Sequence, residues 1–116
     1  MKLCRWGLLL VAAAILPSCG TDYNYWVWVT VRNHGTVSAD VRSEAEYWTW
    51  VGGWDEHQDL SVSPGDTDRF GFRFQDLDRL HVRIFRSSDD LKIFEHTWDR
   101  HDLENLDQRI TITVDP

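Results

Sequence analysis

Short runs in which apolar and polar residues alternate recur along the chain from Tyr23 onward, and they constrain its fold more than any other feature. In residues 23–31 every second residue is Tyr or Val, and in residues 67–75 three phenylalanines occupy alternate positions. Successive side chains of a β-strand point to opposite faces, so a period of two predicts strands and disfavours amphipathic helices. Turn-forming residues, such as those at 33–36 and 64–66, separate the runs.

The alternating runs predict about eight strands. They cover residues 23–33, 36–42, 44–51, 58–63, 67–75, 80–86, 91–98 and 108–114. Residues 99–107 have helical character, because Asp99 can cap a turn that carries Leu103 and Leu106. No amphipathic helix is long enough to connect parallel strands, so we expect an all-β, antiparallel sandwich of about 7–8 strands.

Two strand–turn segments, residues 29–33 and 62–66, are similar to patterns in bacterial extracytoplasmic immunoglobulin-like modules. The resemblance implies an immunoglobulin-like or transthyretin-like β-sandwich. It is generic and identifies no single family, and the Cys…Trp…Cys signature of antibody domains is absent from the sequence.

The first eighteen residues differ from the remainder of the chain. Lys2 and Arg5 precede an apolar run, residues 7–16. As a helix this run would be about 15 Å long, which is roughly half the thickness of a bilayer core. Its length and its basic flank predict the hydrophobic region of a signal peptide. We therefore expect residues 1–18 to be removed and residues 23–116 to form one domain.

Residues 16–19, Leu-Pro-Ser-Cys, resemble the lipobox of bacterial lipoproteins, with an aliphatic residue three places before the cysteine and a small one just before it. The resemblance implies cleavage before Cys19 and acylation of that cysteine, followed by a short tether at residues 19–22. Two or more acyl chains anchor a protein stably to a membrane. In the sorting pattern of these lipoproteins, Gly20 in place of Asp favours the outer membrane over the inner one. The expected location is thus the bacterial cell envelope, and no cofactor is expected apart from the covalent lipid.

The chain is acidic, with a formal net charge of −7 that becomes −9 once Lys2 and Arg5 leave with the signal. This balance, with no run of Lys or Arg, argues against nucleic acid as a partner. The sequence also has no Gly-x-Ser-x-Gly motif and no glycine-rich phosphate loop, which favours a non-enzymatic role. We therefore expect a non-enzymatic envelope module that binds another protein or helps to organise the envelope, and the alternative is a carbohydrate-binding module.

Seven tryptophans are unusual for a chain of 116 residues, and most of them are arranged in pairs. Trp26 pairs with Trp28 and Trp48 with Trp50, and Trp54 lies in the loop that follows. At a spacing of two, both members of a pair share one face of a strand, but the opposite face of each strand is apolar as well. Core packing, a surface for a protein partner, and a stacking platform for sugar rings all fit this pattern. The solvent exposure of the indoles discriminates between them.

Other polar clusters are interpreted as solvated or hydrogen-bonded residues. His96 and His101 lie near Asp99 and Asp102, but their spacing matches no established zinc motif. The pairs Asp66 and Asp68, and Asp76 and Asp78, lack the full spacing of a calcium loop. We therefore expect no metal site and no catalytic residue.

Overall fold

The computed structural model describes residues 25–48 and 55–116, and over these residues the chain is an all-β sandwich. Within them the sandwich contains seven strands and a short helix. The elements are β1 (Trp26–Asn33), β2 (Ala39–Tyr47), β3 (Glu56–Val62), β4 (Thr67–Arg73), β5 (Leu77–Arg86), β6 (Leu91–Asp99), α1 (Arg100–Asn105) and β7 (Arg109–Val114). The fold class predicted from the alternating pattern is confirmed.

The strands form a three-stranded sheet in the order β4-β1-β7 and a four-stranded sheet in the order β3-β2-β5-β6. Most neighbours are antiparallel, as expected, but β1 and β7 run parallel, with Val29 opposite Ile110. Parallel neighbours need a long crossover connection, and here the four-stranded sheet and α1 supply it. The first and last strands of the sandwich therefore lie side by side.

The two sheets enclose one hydrophobic core, and the valine face of β1 belongs to it. Val27, Val29 and Val31 are fully buried there, together with Phe72 of β4. The four-stranded sheet contributes fully buried side chains at Leu80, Val82 and Ile84. Burial of each such side chain stabilises the fold by about 1.5–3 kcal/mol. The tryptophans of β1 consequently point away from the core, which decides the question that the sequence left open for this strand.

Several strand boundaries differ from the sequence-based expectation, and two of the differences involve buried residues. Residues 36–42 and 44–51 were expected to form separate strands, but β2 continues through Ser43, which is buried in phase with the core residues. The Ser43 hydroxyl can occupy this position because it donates a hydrogen bond of 2.9 Å to the Gln58 carbonyl. Leu77 was expected in a loop, yet it is fully buried and begins β5. Residues 49–51 of the expected strand 44–51 lie outside the described residues.

The predicted helical turn is present as α1, and its cap forms as expected. The Asp99 carboxylate accepts a hydrogen bond of 2.8 Å from the Asp102 backbone N–H, and the Asp102 carboxylate accepts one of 3.1 Å from the Asp99 N–H. This reciprocal capping box satisfies two donors that the helix itself leaves unpaired. Leu103 is buried in the core, whereas Leu106 remains 45% exposed.

Asn33, the last residue of β1, forms hydrogen bonds at the end of the strand opposite to Trp26. It is fully buried, and its amide donates hydrogen bonds to the carbonyls of Val37 at 2.8 Å and Val62 at 2.9 Å. Its side-chain oxygen accepts a hydrogen bond of 2.8 Å from the Gly35 N–H. The Asn33 side chain thus links the connection between β1 and β2 to the last residue of β3, which belongs to the other sheet.

Candidate functional site

Trp26 and Trp28 lie next to each other on the outer face of the three-stranded sheet. Both are half-buried, and they alternate along β1 with the buried Val27 and Val29. Their ring centroids are 5.9 Å apart and their planes are inclined by 37°. The Tyr25 ring meets Trp26 edge-on at 5.1 Å, so three aromatic rings follow one another at the start of this strand.

The position of Trp28 depends on a glycine in the neighbouring strand. Gly71 of β4 is the cross-strand partner of Trp28. A Cβ atom at Gly71 would stand 2.9 Å from Trp28 Cζ3 and 3.0 Å from Cε3, which is too close for atoms that are not bonded. The indole therefore extends over β4 because residue 71 has no side chain. On the same strand, the guanidinium carbon of Arg69 lies 4.6 Å from the centroid of the Trp28 ring.

The strand register defines the whole outward surface of this sheet, which we call the Trp–Arg face. Besides the two tryptophans and Gly71, its members are Thr30, Thr67, Thr111, Thr113, Arg32, Arg69, Arg73 and Arg109. None of these outward positions in β1, β4 and β7 is Asp or Glu. Four arginines thus share one face with two tryptophans, in a chain whose net charge is −7.

Basic residues elsewhere in the described part of the chain are paired with carboxylates. On the four-stranded sheet, Arg79 lies 2.7 Å from Glu46 and Arg83 lies 3.7 Å from Glu44. Equivalent pairs join Arg42 to Asp90, Arg86 to Asp89, Lys92 to Glu95, and Arg100 to Glu104. By contrast, Arg32, Arg69 and Arg73 form no ion pair with any residue that the structure describes.

A histidine takes part in the same charged network on the four-stranded sheet. His81 Nδ1 lies 3.1 Å from a Glu44 oxygen, and its Nε2 lies 2.8 Å from a Glu95 oxygen. Hydrogen bonds from Lys92 and from His81 hold the pKa of the Glu95 carboxyl below its usual value. The outer faces of the two sheets therefore differ: the arginines of the four-stranded sheet pair with carboxylates, whereas Arg32, Arg69 and Arg73 form no ion pair with a described residue.

Trp48 lies apart from the other two described members of the predicted site. It follows the end of β2 in the four-stranded sheet and is 71% exposed, with its backbone N–H donating to the Asp76 carbonyl at 2.7 Å. Tyr25, 47% exposed, is at the same end of the sandwich, because its carbonyl accepts a hydrogen bond of 2.8 Å from the Phe74 N–H. Cys19, Trp50 and Trp54 lie outside the described residues, as do the expected signal peptide (1–18) and tether (19–22).

Three members of the His–Asp cluster considered as a metal site make structural contacts. Asp99 and Asp102 form the capping box, and the His96 ring contacts the Trp98 ring at 4.6 Å. Among the described residues, no group of three or more His, Cys, Asp or Glu side chains could hold a metal ion. Nor is any helix in this part of the chain long and apolar enough to cross a membrane.

The arginines are the part of the candidate site that sequence reasoning missed. The signal that could have found them is the two-residue alternation of β4. The phenylalanines of this strand face the core, so the alternate positions Arg69, Gly71 and Arg73 belong to the opposite face. Their convergence with Arg109 could not be anticipated, because it follows from the parallel pairing of β1 with β7. Comparison of the chain with protein-family models, with curated proteins and with solved structures finds no match.

Proposed function

We propose that the protein is a lipid-anchored module of the bacterial cell envelope that acts by binding a partner and not by catalysis. The observation that carries this proposal is the Trp–Arg face, where two adjacent indoles stand among arginines on an outward sheet surface. Trp26 and Trp28 are half-buried, so part of each ring is open to solvent, and contiguous exposed aromatic surface often serves an interaction. The Trp–Arg face is the proposed binding surface.

The lipobox at residues 16–19 supports the membrane anchor, through acylation of Cys19. Cys19→Ser is expected to move the protein from the membrane fraction to the soluble fraction of the envelope and to abolish the mass increase from the acyl chains. Cys4→Ser is a matched control, because Cys4 lies in the segment that we expect to be removed. A Cys19→Ser protein that stays membrane-bound without a change in mass would disprove the anchor.

Between the two partner classes, the composition of the Trp–Arg face supports a glycan better than a protein. No aliphatic side chain occupies its outward positions, which are Trp, Thr, Arg and Gly. Protein interfaces bury an apolar centre, and aliphatic side chains from a partner would find little to pack against here. Sugar rings instead present C–H faces that stack on indoles and hydroxyls that bond to threonine and arginine.

A protein partner is the second candidate, and it is favoured by a different surface. Trp48 is 71% exposed, and Tyr25 and Leu106 are 47% and 45% exposed. Tyr25 and Trp48 are at the end of the sandwich where β1 begins, and Leu106 lies just before β7 at that same end. Exposed aromatic residues of this kind are frequent anchors in protein interfaces.

Two variants distinguish the surfaces in a binding assay with purified peptidoglycan and with detergent-solubilised envelope proteins. Trp28→Ala alters the Trp–Arg face, and Trp48→Ala alters the end of the sandwich. If the Trp–Arg face is the binding surface, Trp28→Ala loses binding and Trp48→Ala retains it. The opposite result supports the protein candidate. Retention of full binding by both variants would overturn the proposal, with circular dichroism confirming that each variant is folded.

A further inference from the structure

We propose that the ligand of the Trp–Arg face is a polyanionic glycan, a polysaccharide whose sugars carry carboxylate or phosphate groups. This inference rests on the proposed function, since it uses the same surface, and it adds the charge and the polymeric nature of the ligand. Its basis is the local excess of positive charge on one face of an acidic domain.

The charge of this face is opposite to that of the whole chain. The net charge is −7, yet the outward positions of β1, β4 and β7 include four arginines and no acidic residue. Within the described residues, Arg32, Arg69 and Arg73 have no carboxylate partner, whereas the basic residues on the other sheet do. A surface of this kind attracts anions to itself while the rest of the domain repels them.

An aromatic ring helps to fix the orientation of one of these arginines. The guanidinium carbon of Arg69 lies 4.6 Å from the Trp28 ring centroid, whereas that of Arg73 lies 5.3 Å from the ring of Tyr47, a buried residue of the other sheet. A guanidinium stacked on a ring keeps its N–H groups directed outward in its own plane. Those groups match the two oxygens of a carboxylate or phosphate, so Arg69 is prepared for a bidentate contact.

The arrangement along β1 fits an extended polymer better than a single small anion. Trp26, Trp28 and Thr30 follow one another on the outer face at every second residue, a spacing of about 7 Å. Arginines flank this row on both sides, with Arg69 on β4 and Arg109 on β7. A sugar chain lying along β1 would therefore place its rings on the indoles and its charged groups beside the arginines.

Two other classes of polyanion fit less well. An acidic peptide can pair its carboxylates with the arginines, but it presents no sugar rings whose C–H faces stack on the indoles. Nucleic acid is disfavoured by the expected location, because the signal peptide and lipobox in residues 1–19 predict export to the cell envelope, where polysaccharides are the abundant polyanions.

The test measures binding of defined polymers to the full chain, purified in a non-ionic detergent, by quenching of tryptophan fluorescence. Polygalacturonate supplies carboxylates, a phosphomannan supplies phosphates, and dextran is the neutral comparison. We expect one of the charged polymers to bind at least about tenfold more tightly than dextran, with an affinity that falls as salt rises from low to high concentration. The charged polymer that binds identifies which anionic group is recognised.

Charge-removing variants locate the binding to the face. Arg69→Gln is expected to weaken binding of the charged polymer about tenfold, the usual effect of losing a charge-assisted contact. Arg42→Gln makes the same change of charge on the outer face of the other sheet, where Arg42 pairs with Asp90. It is expected to leave the affinity unchanged. If Arg42→Gln weakens binding as much as Arg69→Gln does, binding depends on the overall charge of the protein and not on the Trp–Arg face, and the inference is wrong.

Other outcomes separate this inference from the proposed function. Equal, salt-independent binding of dextran and the charged polymers, lost in Trp28→Ala, would overturn the anionic ligand and keep the Trp–Arg face as a glycan site. Tighter binding of polyglutamate or oligothymidylate than of either charged glycan would overturn it in favour of another polyanion. Absence of binding to every polymer, with loss of an envelope partner in Trp28→Ala, would likewise overturn it and leave the proposed function intact.

Discussion

Trp28 and Gly71 face each other across the β1–β4 pair, and the indole occupies the space that a side chain at residue 71 would need. Gly71→Ala is therefore expected to displace the Trp28 ring, because a Cβ atom would stand 2.9 Å from its Cζ3 atom. We expect a changed near-ultraviolet circular dichroism spectrum, loss of binding at the Trp–Arg face, and a loss of about 1–3 kcal/mol in the free energy of unfolding.

Gly65→Ala is the matched control for this substitution. Gly65 has a φ of +80° in the turn before β4, and nothing lies within 4 Å of the Cβ that a substitution would add. Alanine there is expected to cost about 1 kcal/mol through backbone strain while the tryptophan spectrum stays that of the wild type. An unchanged Trp28 signal in Gly71→Ala would show that the indole does not depend on the glycine.

The buried amide of Asn33 leads to a second prediction, on stability. Asn33→Ala removes two donors and one acceptor, and it leaves the Val37 and Val62 carbonyls without those donors. Each unsatisfied buried group costs about 1–3 kcal/mol, so we expect a loss of about 3 kcal/mol in urea-induced unfolding. Asn33→Asp keeps the acceptor for the Gly35 N–H but not the donors, and it should be destabilised as well. A loss below about 0.5 kcal/mol in both variants would contradict this role.

Tyr47 gives an expectation for alkaline pH. Burial, followed by the hydrogen bond of its hydroxyl to Glu56, raises the pKa of the Tyr47 phenol above its usual value. The folded state therefore holds this proton more tightly than the unfolded state. The resulting stabilisation is complete below the ordinary phenol pKa of about 10 and is lost as the pH rises above it. Unfolding free energies measured on both sides of that pKa should show the decline.

Tyr47→Phe is expected to lose about 1 kcal/mol at neutral pH, because the hydrogen bond to Glu56 disappears, and to show a smaller decline at alkaline pH. Tyr25→Phe is the control, since Tyr25 is 47% exposed, and its pH profile should match that of the wild type. The same alkaline decline in Tyr47→Phe as in the wild type would assign the effect to another group.

Arg100 connects α1 to the turn between β4 and β5. Its Nη1 donates to the carbonyls of Phe74 at 3.1 Å and Leu77 at 2.8 Å, and its guanidinium carbon lies 4.1 Å from the Phe74 ring centroid. Arg100→Lys keeps the charge but not the planar donor group, so we expect a loss of about 1–2 kcal/mol in thermal unfolding.

The matched control for Arg100 is Arg86→Lys, because Arg86 pairs with Asp89 in an exposed hairpin. Its unfolding midpoint should stay near that of the wild type, since exposed ion pairs contribute little to stability. Equal effects of the two substitutions would show that the carbonyl contacts of Arg100 have no special role.

Period-two alternation was sufficient to predict the fold class, because it depends on neighbouring residues alone. It overestimated the number of strands, because the polar Ser43 indicates a break between two of them. Ser43 in fact occupies a core position in β2, where its hydroxyl donates a hydrogen bond to the Gln58 carbonyl. The parallel pairing of β1 with β7 could not be predicted either. Strand neighbours that are distant in sequence leave no mark on the local pattern.

The candidate site was predictable in part, for a similar reason. The two-residue spacing of Trp26 and Trp28 placed them on one face, but both faces of the strand were apolar, so the core side could not be chosen. Burial of Val27 against the other sheet makes that choice. Arg109 joins the face through β7, and its position next to Trp28 is a property of the tertiary structure.

The pairing of β1 with β7 has a consequence for the order in which the molecule can assemble. Gln108 donates a hydrogen bond to the Trp26 carbonyl across a separation of 82 residues, and β7 then completes the sheet beside β1. A chain that emerges amino terminus first presents β1 long before its neighbour arrives, so closure of this sheet is a late, non-local event. The Trp–Arg face is therefore completed last, after nearly the whole chain of the domain is available to fold.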